Sequence, residues 1–142
     1  MNLSQVVGIA WILVAVGGAL GAVARHAAFQ MVGRIAPSTF GIFGYPLGTL
    51  IVNVAGSLLM GVAAAILLSG ANDQSVLPRT FFMTGLLGGF TTFSTFSLDA
   101  IGLLRVKAYG AALGYIGLSV SLSLIAFVCG FALLSLIARA VS

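Results

Sequence analysis

The chain has 142 residues, of which 61% are hydrophobic and only 6% charged, with 19 glycines. A soluble domain carries about 25% charged residues, so this composition excludes a water-bathed globular surface and points to one that lies mostly in lipid. Six Lys/Arg against two Asp/Glu give a net charge of +4, but the cations stand singly near the ends of apolar runs, which reads as membrane-interface anchoring and not as a nucleic-acid patch.

A bilayer-spanning helix needs roughly 20 apolar residues, so this length holds four spans and would crowd five. The first is expected over about 6–31, its far end marked by Arg25, Arg34 and Pro37. Pro46 suits the first turn of a second helix, about 46–69, which precedes a polar loop at 70–75 containing Asp73. The third, about 80–103, follows Arg79 and carries Asp99; the fourth, about 110–137, lies between Lys107 and Arg139. The chain reads as a single integral membrane domain, 1–142, with no stretch left over for separate soluble chemistry. Residues 1–5 hold no Lys or Arg and the apolar run after them is too long for a signal-peptide core, so cleavage is not expected. Cys129 is the only cysteine, which excludes an intramolecular disulfide.

An even number of spans puts both termini on one side. Arg79 and Arg139 then face one surface, and Arg34, Arg105 and Lys107 the other, with Arg25 near the second. That Lys/Arg bias is too small to fix orientation. Insertion in both directions would permit an antiparallel, dual-topology homodimer; a single fixed orientation remains open on the charge count. Gly17 with Gly21, Gly85 with Gly89 and Gly110 with Gly114 form small-xxx-small pairs that let helix backbones approach.

Residues 85–97 read G-L-L-G-G-F-T-T-F-S-T-F-S. Paired glycines followed by Thr91, Thr92, Ser94, Thr95 and Ser97 are poor material for an uninterrupted helix, so the third helix is expected to break near its middle. Unwound backbone at bilayer depth survives only inside protein or against a hydrated cavity or ion. Carbonyls freed there suit a hard monovalent cation; the alternative is a continuous helix whose hydroxyls bond back to their own carbonyls. Phe93 and Phe96 would share a face of the resumed helix, with ring edges that favour a small anion or with ordinary packing.

Uncharged donors recur at four-residue spacing: Thr49, Asn53 and Ser57 on the second helix, Tyr115, Ser119 and Ser123 on the fourth. Two such stripes facing each other would make a dehydration path for an anion, although Ser and Thr also serve as interhelical glue. Asn53 stands out, because a carboxamide deep in a span needs a polar partner. Proton-coupled transport calls for a titratable group inside a span, and the first helix has no acid. His26 reads as structural or headgroup-facing, and Arg25 as a cap on backbone carbonyls or a partner across a dimer.

Residues 85–97, the segment P-L-G-T-L-I-V-N-V-A-G at 46–56 and G-A-V-A-R at 21–25 together resemble the Fluc (CrcB) fluoride ion channels over essentially the whole chain, G-G-F-T-T-F-S-T-F being the specific motif. The resemblance implies a passive channel that exports cytoplasmic fluoride from a bacterial inner membrane, working as an antiparallel homodimer with two pores. It implies that Asn53 bonds fluoride, that Phe93 and Phe96 form an aromatic box, that Tyr115, Ser119 and Ser123 make a polar track with Thr49 on the Asn53 side, and that Arg25 lies at the vestibule or interface. It further implies one structural Na+ on the two-fold axis, held by the main-chain carbonyls of Gly88 and Thr91 from both subunits. His26 and Asp99 depart from the family pattern, where an aromatic residue and a glutamate are expected; neither is expected to touch the ion path. Competing readings are a dual-topology proton-coupled multidrug exporter and a non-transporting scaffold subunit. No nucleophile with a base, metal cluster or cofactor motif suggests an enzyme.

Overall fold

The computed structural model describes residues 3–35, 46–68 and 76–141; the loop with Asp73 lies outside the described residues. The chain is all-helical: α1 (Leu3–Ile35) and α2 (Leu47–Leu68) are followed by α3, which starts at Val76–Arg79, continues as π-helix through Thr80–Leu87 and ends in the turn Gly88–Phe90. Then come α4 (Phe93–Arg105) and α5 (Tyr109–Val141). Among the described residues four segments are long and apolar enough to cross a membrane, α3 and α4 together making the third. At 1.5 Å per residue the 33-residue α1 and α5 measure about 50 Å, longer than the roughly 30 Å of hydrocarbon they must cross.

Local chemistry fixes the helix ends. Pro46 cannot donate a backbone bond but accepts one, and the amide of Leu50 bonds its carbonyl at 3.2 Å to open α2. At the other end the Arg79 Nε donates to the Leu67 carbonyl at 2.7 Å, supplying a donor to one of the last carbonyls that a helix leaves unpaired. Between α4 and α5, Lys107 takes φ 61°, and the amides of Ala108 and Lys107 bond the carbonyls of Leu103 and Leu104, both at 3.0 Å. That is the left-handed terminating turn usually given to glycine.

Two glycine contacts govern the packing. α1 lies against α3, and a Cβ on Gly17 would sit 2.8 Å from the Phe81 carbonyl and one on Gly89 2.6 Å from the Gly18 carbonyl. The first two glycine pairs therefore meet each other. The third does not take part, since Gly110 has open space beside it. Instead α2 crosses α5, the second extensive helix contact, through Gly61 against the Phe127 carbonyl and Gly130 against the Leu58 carbonyl. The buried apolar cluster of Ala100, Leu103, Ala112 and Tyr115 ties α4 to α5, while Trp11 at 74% exposure and most large side chains of α1 and α5 face outward. An apolar exterior of this extent fits a lipid surround.

Candidate functional site: the broken helix and its cavity

Helical geometry stops at Thr91 (φ −76°, ψ 159°) and resumes after Thr92 (φ −150°, ψ 113°). The last bond of α3 runs from the Thr91 amide to the Leu87 carbonyl at 3.0 Å, and the Thr91 hydroxyl donates to the same carbonyl at 3.0 Å. Thr92 caps α4: its Oγ1 accepts from the Thr95 amide at 3.2 Å and donates to the Thr95 hydroxyl at 2.9 Å. A Thr in extended conformation with a hydroxyl three residues on is a helix-start signal, and it explains why the chain re-enters helix at Phe93.

Two neighbours hold the extended pair. Asn53 of α2 receives the Thr92 N–H on Oδ1 at 2.8 Å and donates from Nδ2 to the Thr92 carbonyl at 3.0 Å. One turn along α2, a Cβ on Gly56 would strike the Thr91 methyl group and come within 3.2 Å of the Phe90 ring, so glycine makes the seat on which the break rests. From the other side Arg25 donates from Nη1 to the Thr91 carbonyl at 3.2 Å. This corrects the expectation that Arg25 marks the interfacial end of the first span: α1 runs ten residues further, to Ile35, and the guanidinium reaches inward to the break. His26 stays on the exposed face, its Nε2 3.4 Å from Gln30 Nε2.

Beside the break lies a cavity of about 340 Å³, lined by Asn53 and Ser57 of α2, Phe93 and Phe96 of α4, and Ser119 and Ser123 of α5, with Thr91 and Thr92 at its edge. Two members of each donor row read from the sequence therefore line one space, and its lining carries no formal charge. The Phe93 and Phe96 rings are 5.4 Å apart and tilted by 39°. Ser119 is only 4% exposed, and among the described residues its hydroxyl has no hydrogen-bond partner. A buried hydroxyl left unpaired costs about 1–3 kcal/mol.

The first member of each row does something else. Thr49 donates to Asp99 Oδ2 at 2.6 Å, and the Tyr115 hydroxyl donates to the same oxygen at 3.3 Å; neither Thr49 nor Tyr115 lines the cavity. Tyr115 is instead buried under Phe96, ring centroids 5.4 Å apart. Asp99, expected to stand clear of the candidate path, does not line the cavity; its carboxylate takes the hydroxyls of the two residues that leave the rows. An acid at the end of a Ser/Thr-rich segment, seven residues past the helix break, gave no sequence signal for this.

The donors at the break also suit the expected cation. In an unbroken helix the Gly88 carbonyl would receive the Thr92 N–H, which here goes to Asn53. The Thr91 carbonyl keeps a second lone pair beside the Arg25 bond. Main-chain oxygens without charge are the donor type for a hard monovalent ion, so Gly88 and Thr91 fit a sodium site, with Arg25 as a competing positive charge.

A sequence model of the family described as "CrcB-like protein, Camphor Resistance (CrcB)" matches residues 12–131, a stretch that contains Arg25, Asn53, the break and both donor rows. The chain belongs to the CrcB family. Among its CrcB relatives, the protein of Paracoccus denitrificans named fluoride-specific ion channel FluC is 49% identical over 117 residues, covering 82% of this chain and 87% of the relative. A FluC of Cereibacter sphaeroides is 49% identical over 121 residues, 84% of this chain and 89% of its own length. One of Francisella philomiragia is 43% identical over 127 residues, 87% and 93% of the two chains.

Proposed function

We propose that this CrcB protein is a passive, fluoride-selective channel that lets cytoplasmic fluoride leave the cell through a bacterial inner membrane. The carrying observation is the uncharged donor lining beside the break, where Asn53 and the buried Ser119, whose hydroxyl has no hydrogen-bond partner among the described residues, line one cavity. Fluoride is small and strongly hydrated, so a path for it must replace water with close hydrogen-bond donors. Neutral hydroxyls and a carboxamide do this without a fixed cation that would trap the ion. Ring edges of Phe93 and Phe96 add a weak positive surface. Hydrogen fluoride enters cells as the neutral acid and dissociates inside, so a passive outward leak of the anion relieves the load without an energy source.

The working unit in this reading is an antiparallel homodimer with two pores. Support comes from Phe93, 78% exposed next to the polar backbone of the break. The break itself is covered, Thr92 being buried and Thr91 half-buried, so what a second copy would cover is the bare Phe93 ring and the exposed Ser94 at the start of α4. Sodium at the two-fold axis, held by the Gly88 and Thr91 carbonyls, would offset the carbonyl dipoles that two facing breaks bring together. Thr49, Tyr115 and Asp99 form the polar mouth, and Arg25 steadies the break next to the interface. A proton-coupled drug exporter would need a carboxylate in the first span, where the sequence has none.

The test is efflux from proteoliposomes followed with a fluoride electrode, with chloride as the control anion. Rapid fluoride efflux with negligible chloride efflux is expected; equal rates for both, or no flux of either, would reject the assignment. Asn53→Ser and Phe93→Ile are expected to slow fluoride while preserving assembly, which light scattering should report as twice the 14.4 kDa chain mass.

A further inference from the structure

The Asn53 carboxamide has both heavy atoms committed to the backbone of Thr92: Oδ1 takes its N–H at 2.8 Å and Nδ2 gives to its carbonyl at 3.0 Å. The chemistry of Thr92 fixes the orientation of the amide, because an N–H must meet the oxygen and a carbonyl must meet the nitrogen. One Nδ2 hydrogen remains, on a group that lines the cavity. Asn53 thus stands toward Thr92 as a neighbouring peptide group would stand in a sheet, supplying one acceptor and one donor to an extended residue.

In a continuous helix the Thr92 N–H would return to the Gly88 carbonyl four residues back. The glycines at 88 and 89 weaken the helix without deciding where it opens, and the extended backbone falls at Thr91 and Thr92, opposite Asn53. The seat for that opening is on the same face of α2, three residues on, where only Gly56 leaves room for Phe90 and Thr91. We infer that Asn53 is a positioning residue that sets the break: it substitutes for the Gly88 carbonyl as the partner of Thr92, which keeps that carbonyl out of the helical ladder and fixes the start of α4, and with it the place of the Phe93 ring. This goes beyond the contact with an anion assigned to Asn53 in the channel reading. The cavity and the carbonyl cluster then share one hydrogen-bonded group, so a change at Asn53 acts on both.

The test reads the backbone and needs neither fluoride nor flux, so it stands or falls separately from the channel assignment. Amide hydrogen exchange of the full-length protein in detergent micelles, resolved at Thr92, is compared for the parent, Asn53→Ala and Asn53→Asp. Asn53→Ala removes donor and acceptor, and the Thr92 amide is expected to exchange more than about tenfold faster. Asn53→Asp keeps an oxygen for the Thr92 N–H, and exchange there is expected to stay within about tenfold of the parent. Unchanged exchange in Asn53→Ala overturns the inference, and so does exchange in Asn53→Asp as fast as expected for Ala. Should Asn53→Ala fail to fold, Asn53→Leu, which fills a similar volume with neither donor nor acceptor, takes its place at the same threshold. A residue that only touched the permeating ion would lower fluoride efflux in both variants and leave Thr92 exchange at the parental rate, which also overturns it.

Discussion

Ser119→Ala separates stability from transport. The Ser119 hydroxyl is buried on the wall of the cavity without a partner among the described residues. An unpaired buried hydroxyl costs about 1–3 kcal/mol, and removing it leaves a gap of a single oxygen atom, so the variant is expected to be as stable as the parent or about 1 kcal/mol more stable. Transport should move the opposite way. A hydrogen bond to an ion is worth about 1.5–3 kcal/mol, and at 1.36 kcal/mol per decade its loss at the barrier slows passage by about 10- to 100-fold. Denaturation midpoints in mixed micelles give the first quantity, and initial fluoride efflux from proteoliposomes at matched protein density gives the second. If the variant loses about 1 kcal/mol or more of stability while fluoride efflux stays at the parental rate, Ser119 is interhelical glue and the cavity reading is refuted.

Three further outcomes follow from the geometry. The 2.6 Å bond from Thr49 to Asp99 has the length of a charge-assisted contact, so a double-mutant cycle of Asp99→Asn with Thr49→Val should give a coupling of about 1–2 kcal/mol; a coupling near zero would mean the pair is incidental. Gly61→Val drives a side chain into the Phe127 carbonyl and should destabilise the α2–α5 crossing by about 1–3 kcal/mol, read as a lower denaturation midpoint, whereas Gly110→Val, facing open space, should shift the midpoint far less. Lys107→Gly relieves the positive φ of 61° and should raise stability by about 0.5–1 kcal/mol in the same assay; a drop would show that the lysine head group anchors the turn more strongly than its backbone strains it.

Sequence signals that act along the chain were legible. Apolar length marked four spans, and the run from Gly88 to Ser97 announced a break because paired glycines and hydroxyl residues cannot sustain a helix there. Four-residue spacing placed Asn53 with Ser57 and Ser119 with Ser123, and both pairs line one cavity. What spacing did not reveal is where each row stops serving that space. Thr49 and Tyr115 have the same spacing as the others but bond Asp99, since the choice between a cavity and a carboxylate depends on which helix lies opposite at that depth. The glycine pairs show the same limit: Gly61 and Gly130 carry the α2–α5 crossing though neither belongs to a Gly-xxx-Gly pair, while Gly110 does and has no contact.

The sequence alone determined that this chain lives in a bilayer, crosses it four times and interrupts its third crossing, because hydropathy, length and backbone propensity are properties of consecutive residues. Tertiary structure decided which groups complete the interruption: Asn53 on Thr92, Arg25 on the Thr91 carbonyl, Gly56 beneath them, and a π-helical stretch from Thr80 to Leu87 ahead of the turn into Thr91. Those partners are 39 and 66 residues apart in the chain, and a hydrogen bond of 3 Å reach is selected by the crossing and rotation of whole helices, which no local pattern encodes.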